Sequence, residues 1–192
     1  MNHSQAVELL ENGDLSCMTF FKDNGYDLEY AYTLLLSDNI LESKSVLSGL
    51  NSVRADWLKK IISVIEGEVE YPTYFQIRNF LEIDLTIFIK SNKINYVNSI
   101  LKMAELFQSI NLETYKFLGR VLLKNDFPKE SKIFLDKSIK EYYSDVELHF
   151  LFVEYYLYIN DLNQAQKYIN NCLRINPNYY PAQKTRQKIS QL

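Results

Sequence analysis

The stretch DLNQAQKYINNCLRINPNYYPA, residues 161–182, decides how the rest of the chain is read. Its apolar side chains Leu162, Ala165, Ile169, Cys172 and Leu173 recur at the steps of one helix face, and Pro177 closes the pattern. Alone, this is one amphipathic helix that stops at a proline. Sliding the sequence along itself by 34 positions places Ala165 over Ser131 and Val97, Ile169 over Leu135 and Leu101, and Cys172 over Ser138 and Ala104. On the preceding segment the same shift superposes Val153, Gly119 and Leu85, then Tyr156, Leu122 and Phe88. Two helices per unit carry one small-or-apolar pattern three times. A lone helix pair cannot bury its apolar face, so the next pair must stack on it. Small residues belong where helices approach most closely, and Gly119, Ser131 and Ala165 are those positions.

Helical periodicity extends over nearly the whole chain, predicting helices at 4–12, 15–21, 26–36, 40–50, 55–67 and 72–90. Five more follow at 94–108, 111–124, 128–142, 145–159 and 162–175, and a polar one at 179–192 caps the C-terminal end. Asn111, Asp126 and Asp145 stand where an N-cap is useful. Only five glycines and four prolines interrupt the pattern, which argues against an all-β fold and its many tight turns. The predicted class is all-α, organised as a single helical-repeat domain over 1–192. Irregular N-terminal helices with one loose repeat occupy 1–77, three repeat units 78–178 and the capping helix 179–192.

Composition limits the function classes. With 47% apolar and 23% charged residues the chain is an ordinary globular protein. A net charge of −3 argues against nucleic-acid binding by phosphate neutralisation, while leaving room for a local basic stripe. No basic segment followed by an apolar run opens the sequence, so no secretory signal is expected. The most apolar helix, 72–90, contains Arg78, Glu82 and Asp84, too many charges for membrane insertion. Cys17 and Cys172, far apart and in helical patterns, read as buried thiols of a cytoplasmic protein. Abundant Asn, Ile, Lys, Tyr and Phe with little Ala point to an AT-rich, bacterial source.

The two-helix pattern resembles the tetratricopeptide repeat family. Matching positions are Tyr115, Leu118, Gly119 and Leu122 in one unit, and Tyr156, Ala165, Ile169, Cys172, Leu173 and Pro177 in the next. The resemblance covers residues 78–178. Residues 26–66 fit loosely through Ala31, Ser43, Leu47 and Leu50, and 51–77 leave the register, so an extra helix is expected there. Val97 and Asp84 depart from the family pattern, which has a small residue and a core leucine at those places. The resemblance implies a right-handed superhelical stack of antiparallel helix pairs whose first helices line a concave groove for a protein or peptide.

Carried over position by position, the groove residues are Asn79, Glu82, Thr86 and Lys90, then Lys116, Arg120 and Lys124, then Glu147, Phe150, Glu154 and Tyr158. Lys116, Arg120 and Lys124 are spaced i, i+4, i+8 on one helix face. Either this basic stripe is neutralised by Glu82 and Glu154, or it receives carboxylates of a peptide while Phe150 and Tyr158 supply apolar contact. Phe117 and Leu151 replace the polar residues of the family's carboxylate clamp, so that activity is not carried over.

No catalytic constellation is visible, and no enzyme activity, metal or cofactor is expected. His3 and His149 are the only histidines, and His149 falls at an aromatic core position. Asp84 lies in the apolar arc of its helix and needs a cation or several donors, with Arg54 or Arg120 as partner. The leading expectation is a protein-interaction module, scaffold or adaptor. The alternative is a small-ligand sensor or enzyme with a pocket beside Asp84 and helix 72–90. Met18, Phe20 and Phe21 mark the N-terminal end as the surface for homo-oligomer formation.

Overall fold

A computed structural model describes residues 1–190, and among them every regular element is helical. The first six α-helices are α1 (His3–Glu11), α2 (Met18–Asp23), α3 (Asp27–Leu36), α4 (Ile40–Ser48), α5 (Val53–Ile65) and α6 (Tyr74–Lys90). There follow α7 (Ile94–Lys102), α8 (Ala104–Ile110), α9 (Thr114–Lys124), α10 (Pro128–Glu141), α11 (Val146–Tyr158), α12 (Leu162–Ile175) and α13 (Tyr180–Ile189). The chain gathers into two compact units, Met1–Thr114 and Tyr115–Leu192. Among the described residues no helix is long and apolar enough to cross a membrane.

The repeat is written in the backbone as well as in the side chains. Asp38, Asn92, Asp126 and Asn160 adopt left-handed φ values of 63°, 57°, 66° and 58°. Each ends the first helix of a pair, and the last three stand 34 residues apart. In each turn the next residue's N–H reaches back to close the helix: Asn39 to Leu34 O, Lys93 to Phe88 O, Phe127 to Leu122 O and Asp161 to Tyr156 O, at 2.7–2.9 Å. This is the left-handed C-terminal cap usually given to glycine, and Asn and Asp tolerate it best among the other residues. Asp126 is therefore not the N-cap expected from the sequence. Phe127 stands at the cap of α10 without a side-chain bond, and Pro128 opens the helix. Asp145 does cap α11, accepting from the N–H groups of Glu147 and Leu148.

The small positions behave alike in both units. Ser43 Oγ donates to Ala31 O at 2.7 Å between α3 and α4, and Ser131 Oγ donates to Gly119 O at 2.7 Å between α9 and α10. A Cβ on Gly119 would lie 2.5 Å from Leu135 Cδ2, so any larger residue here forces the fully buried Leu135 side chain to move. The Asp38 turn precedes the Asn92 turn by more than one repeat, and α5 is the extra helix inserted between those two pairs. One helix expected at 94–108 is instead two, α7 and α8, divided at Met103 (φ −87°, ψ 2°). With that break Phe107 is buried against Trp57, ring centroids 6.4 Å apart.

At the N-terminal end Phe21 is fully buried, while Met18 and Phe20 are half-buried. Phe20 and Phe21 pack with Tyr26, and the His3 ring meets Tyr26 at 4.4 Å. In the second unit Phe152, Tyr156 and Tyr168 stack between α11 and α12 at 4.7–6.4 Å, and Val153, Ile169, Cys172 and Ala182 form the core beneath α13.

Candidate functional site

In the second unit the predicted stripe and its flank converge between α9 and α11. The i, i+4 spacing turns Lys116, Arg120 and Lys124 toward the face of α11 that carries Glu147, Leu151 and Glu154. Lys116 Nζ lies 2.7 Å from Asp145 Oδ2 and 3.2 Å from Glu147 Oε2, and Arg120 Nη2 lies 2.8 Å from Glu147 Oε1. Lys116 is only 5% exposed, so it is an internal strut rather than a displayed charge. The acids that meet the stripe within this unit are thus the cap and first turn of α11, together with Glu154.

Asp145 does two jobs at once: Oδ1 caps α11, and Oδ2 takes Lys116. Burial works to raise its carboxyl, but the Lys116 bond and the N–H groups of Leu148 and Glu147 outweigh burial and hold it below the usual range. Glu154 is shifted the other way. Burial raises it, Lys124 and Arg120 pull it down, Glu147 pushes it up, and burial prevails. Around Glu154 lies a recess of about 140 Å³ bordered by Arg120, Lys124, Phe150 and Tyr179. The Phe150 and Tyr179 rings meet edge to face at 5.6 Å, giving the recess one apolar wall. Tyr158, 47% exposed, donates instead to Asp126 Oδ1 at 3.2 Å.

The expected groove residues of the first unit border two separate recesses on α6. Asn79 is exposed and borders one of about 800 Å³, together with Val53, Phe75 and Phe80. Glu82, Thr86 and Lys90 border another of about 300 Å³, and Lys90 Nζ donates to Asn12 Oδ1 at 2.9 Å.

Asp84 is fully buried and accepts four hydrogen bonds, two on each oxygen. Tyr32 O–H donates to Oδ1 at 2.8 Å, Arg54 donates through both Nη1 (to Oδ2, 2.7 Å) and Nη2 (to Oδ1), and Trp57 Nε1–H donates to Oδ2. Arg54 is thus the partner of the two the sequence offered. Its guanidinium also lies 5.5 Å from the Tyr32 ring and 4.8 Å from the Phe80 ring. Burial pushes the Tyr32 phenol well up, and the neighbouring Asp84 adds to it. Asp84 holds α3, α5 and α6 together and has its lone pairs committed.

The remaining chemistry-bearing residues are structural. His149 is buried, with Nε2 2.7 Å from Tyr143 O and its ring between Tyr143 and Tyr168. Both cysteines are buried free thiols, and burial pushes Cys172 up to about 12. Among the described residues no group of three or more His, Cys, Asp or Glu stands ready to hold a metal. Sequence reasoning missed Asp145 and Glu147 as the partners of Lys116; the available signal was an acidic cap and first turn on the next helix of the same face. No protein-family model, no curated protein and no solved structure matches this chain.

Proposed function

We propose that the chain is a protein-interaction module, a right-handed stack of antiparallel helix pairs of the tetratricopeptide kind, which binds a peptide or partner protein on the first-helix face. The observation that carries this reading is the recess between α9 and α11, where fixed ion pairs and an aromatic wall surround the exposed Glu154 carboxylate. Side chains already held by Lys116–Asp145 and Arg120–Glu147 lose little further freedom on binding, which favours recognition over mere solvation. Three cations, Lys116, Arg120 and Lys124, stand against three acids, Asp145, Glu147 and Glu154. A partner offering hydrogen bonds and an apolar side chain fits this better than a purely acidic one. In this reading the module is a cytoplasmic binding protein and not an enzyme, and the two buried thiols suit a reducing compartment.

The alternative, a small-ligand sensor or enzyme, has one feature in its favour. A recess of about 280 Å³ lies beside the Asp84 cluster, bordered by Tyr32, Arg54, Phe80 and Ile83. Its acid, however, is already saturated with donors. Crosslinked capture from the source lysate with wild-type bait and with a Phe150→Ala, Lys124→Glu bait tests the main reading. A protein enriched by wild type and lost by the variant supports it; enrichment of no protein, or of the same proteins by both baits, overturns it.

A further inference from the structure

All 24 acids of the chain lie before residue 162, yet five of its 21 cations lie after it: Lys167, Arg174, Lys184, Arg186 and Lys188. All five are exposed, and none forms an ion pair among the described residues. Helix dipoles account for part of this, since Arg174 sits in the last turn of α12 and Arg186 and Lys188 in that of α13. The same physics favours acids at helix starts: Asp161 caps α12 by accepting from Gln164 N–H, whereas α13 has no acid in its first turn. Lys184 and Lys188, four apart on α13, repel each other at close range. The α12–α13 end is therefore a concentrated positive surface with no acid paired to it among the described residues.

Between these helices runs a cleft of about 790 Å³, walled by Leu173 and Pro177 on one side and by Gln183, Arg186, Gln187 and Ser190 on the other. Gln183 Nε2 already donates to Pro177 O at 2.7 Å, and the rest of the lining offers an apolar contact, the Gln187 amide suited to peptide backbone groups and the Arg186 guanidinium suited to a carboxylate. We propose that this cleft docks an acidic peptide segment that carries carboxylates on either side of an apolar residue. The proposal rests on the interaction-module reading and adds a second contact surface to it. Nucleic acid fits less well because the cleft lining, Leu173, Pro177, Gln183, Arg186, Gln187 and Ser190, holds no aromatic ring on which a base could stack. Membrane-surface binding lacks an exposed aliphatic row beside the cations.

Fluorescence anisotropy of the full chain with a short labelled peptide of alternating glutamate pairs and leucines tests the proposal. Binding should weaken as salt rises, fall about tenfold or more in a Lys184→Gln, Arg186→Gln, Lys188→Gln variant, and fall several-fold when serine replaces the leucines. Absence of binding, or binding unchanged in the variant, overturns it. Tighter binding of a single-stranded oligouridylate or of phosphatidylserine vesicles overturns it in favour of those anions. Salt-sensitive self-association in sedimentation that the variant abolishes reassigns the cleft to a second copy. Partner capture that depends on Phe150 and Lys124 is read separately, so losing one result leaves the other standing.

Discussion

The α9–α11 face and the α12–α13 end belong to one unit and use their cations in opposite ways. On the first, Lys116 and Arg120 are drawn into ion pairs with the cap and first turn of α11. On the second, no cation meets an acid among the described residues. The difference lies in how the following helix begins. α11 opens with Asp145 and Glu147, whereas α13 opens with Tyr179, Tyr180 and Pro181. A cation at an i, i+4 position thus becomes a strut or a displayed charge according to the cap chemistry of its neighbour.

The fully buried limit of this comparison is Asp84, and the largest effect is expected there. Asp84→Ala leaves the Arg54 guanidinium without its counter-charge among aromatic rings and should cost about 3–5 kcal/mol of unfolding free energy in urea titration. A loss under about 1 kcal/mol would mean that water reaches the cluster. Asp145→Ala comes next. It removes the α11 cap and the nearer of the two acids on Lys116, and should cost about 2–3 kcal/mol, less than the full buried-pair value because Glu147 stays beside Lys116 and Asp145 keeps some contact with water. Asp145→Asn keeps an oxygen for the cap but not the charge, so its smaller loss separates the two roles.

These two residues also show where the sequence is legible. Helix positions follow from apolar spacing, which is local, and most were readable; the 3₁₀ turn Leu15–Cys17 before α2 and the α7–α8 division were not. Beyond that division Phe107 packs on Trp57, a residue distant in sequence that local spacing does not bring to it. Asp126 was ambiguous because one residue type serves both N-caps and left-handed turns; the recurrence of Asp38, Asn92, Asp126 and Asn160 resolves it. The need of Asp84 for a partner was readable, but Arg54 and Arg120 could be separated only by the packing of α5 on α6. Lys116 was placed on the right face with the wrong exposure, since a helical wheel says nothing about which acids a neighbouring helix brings.

Acid titration sharpens the contrast within the ladder itself. Asp145 is held below the unfolded value of about 3.9, so its contribution is present above that pH and is lost as pH falls through the folded value. Glu154 is raised above the unfolded value of about 4.3, so stability is lost as pH rises from there through its folded value. The wild-type advantage over Asp145→Asn should therefore shrink on acidification. Glu154→Gln should match wild type in acid and exceed it near neutrality, by under about 1 kcal/mol after solvent screening. Parallel pH trends for the two variants, in urea unfolding at stepped pH, would show that the two acids share one environment.

The smallest effect belongs to the exposed end. Replacing Lys184, Arg186 and Lys188 by glutamine removes the repulsion between Lys184 and Lys188 but also gives up the dipole attraction of Arg186 and Lys188. The two terms are alike in size and opposite in sign, so thermal unfolding should shift by no more than about 0.5 kcal/mol. Added salt should leave that near-equality in place, because it screens both terms together. A loss above about 1 kcal/mol would show that these cations hold structure as Lys116 does, and the contrast between the two surfaces would collapse.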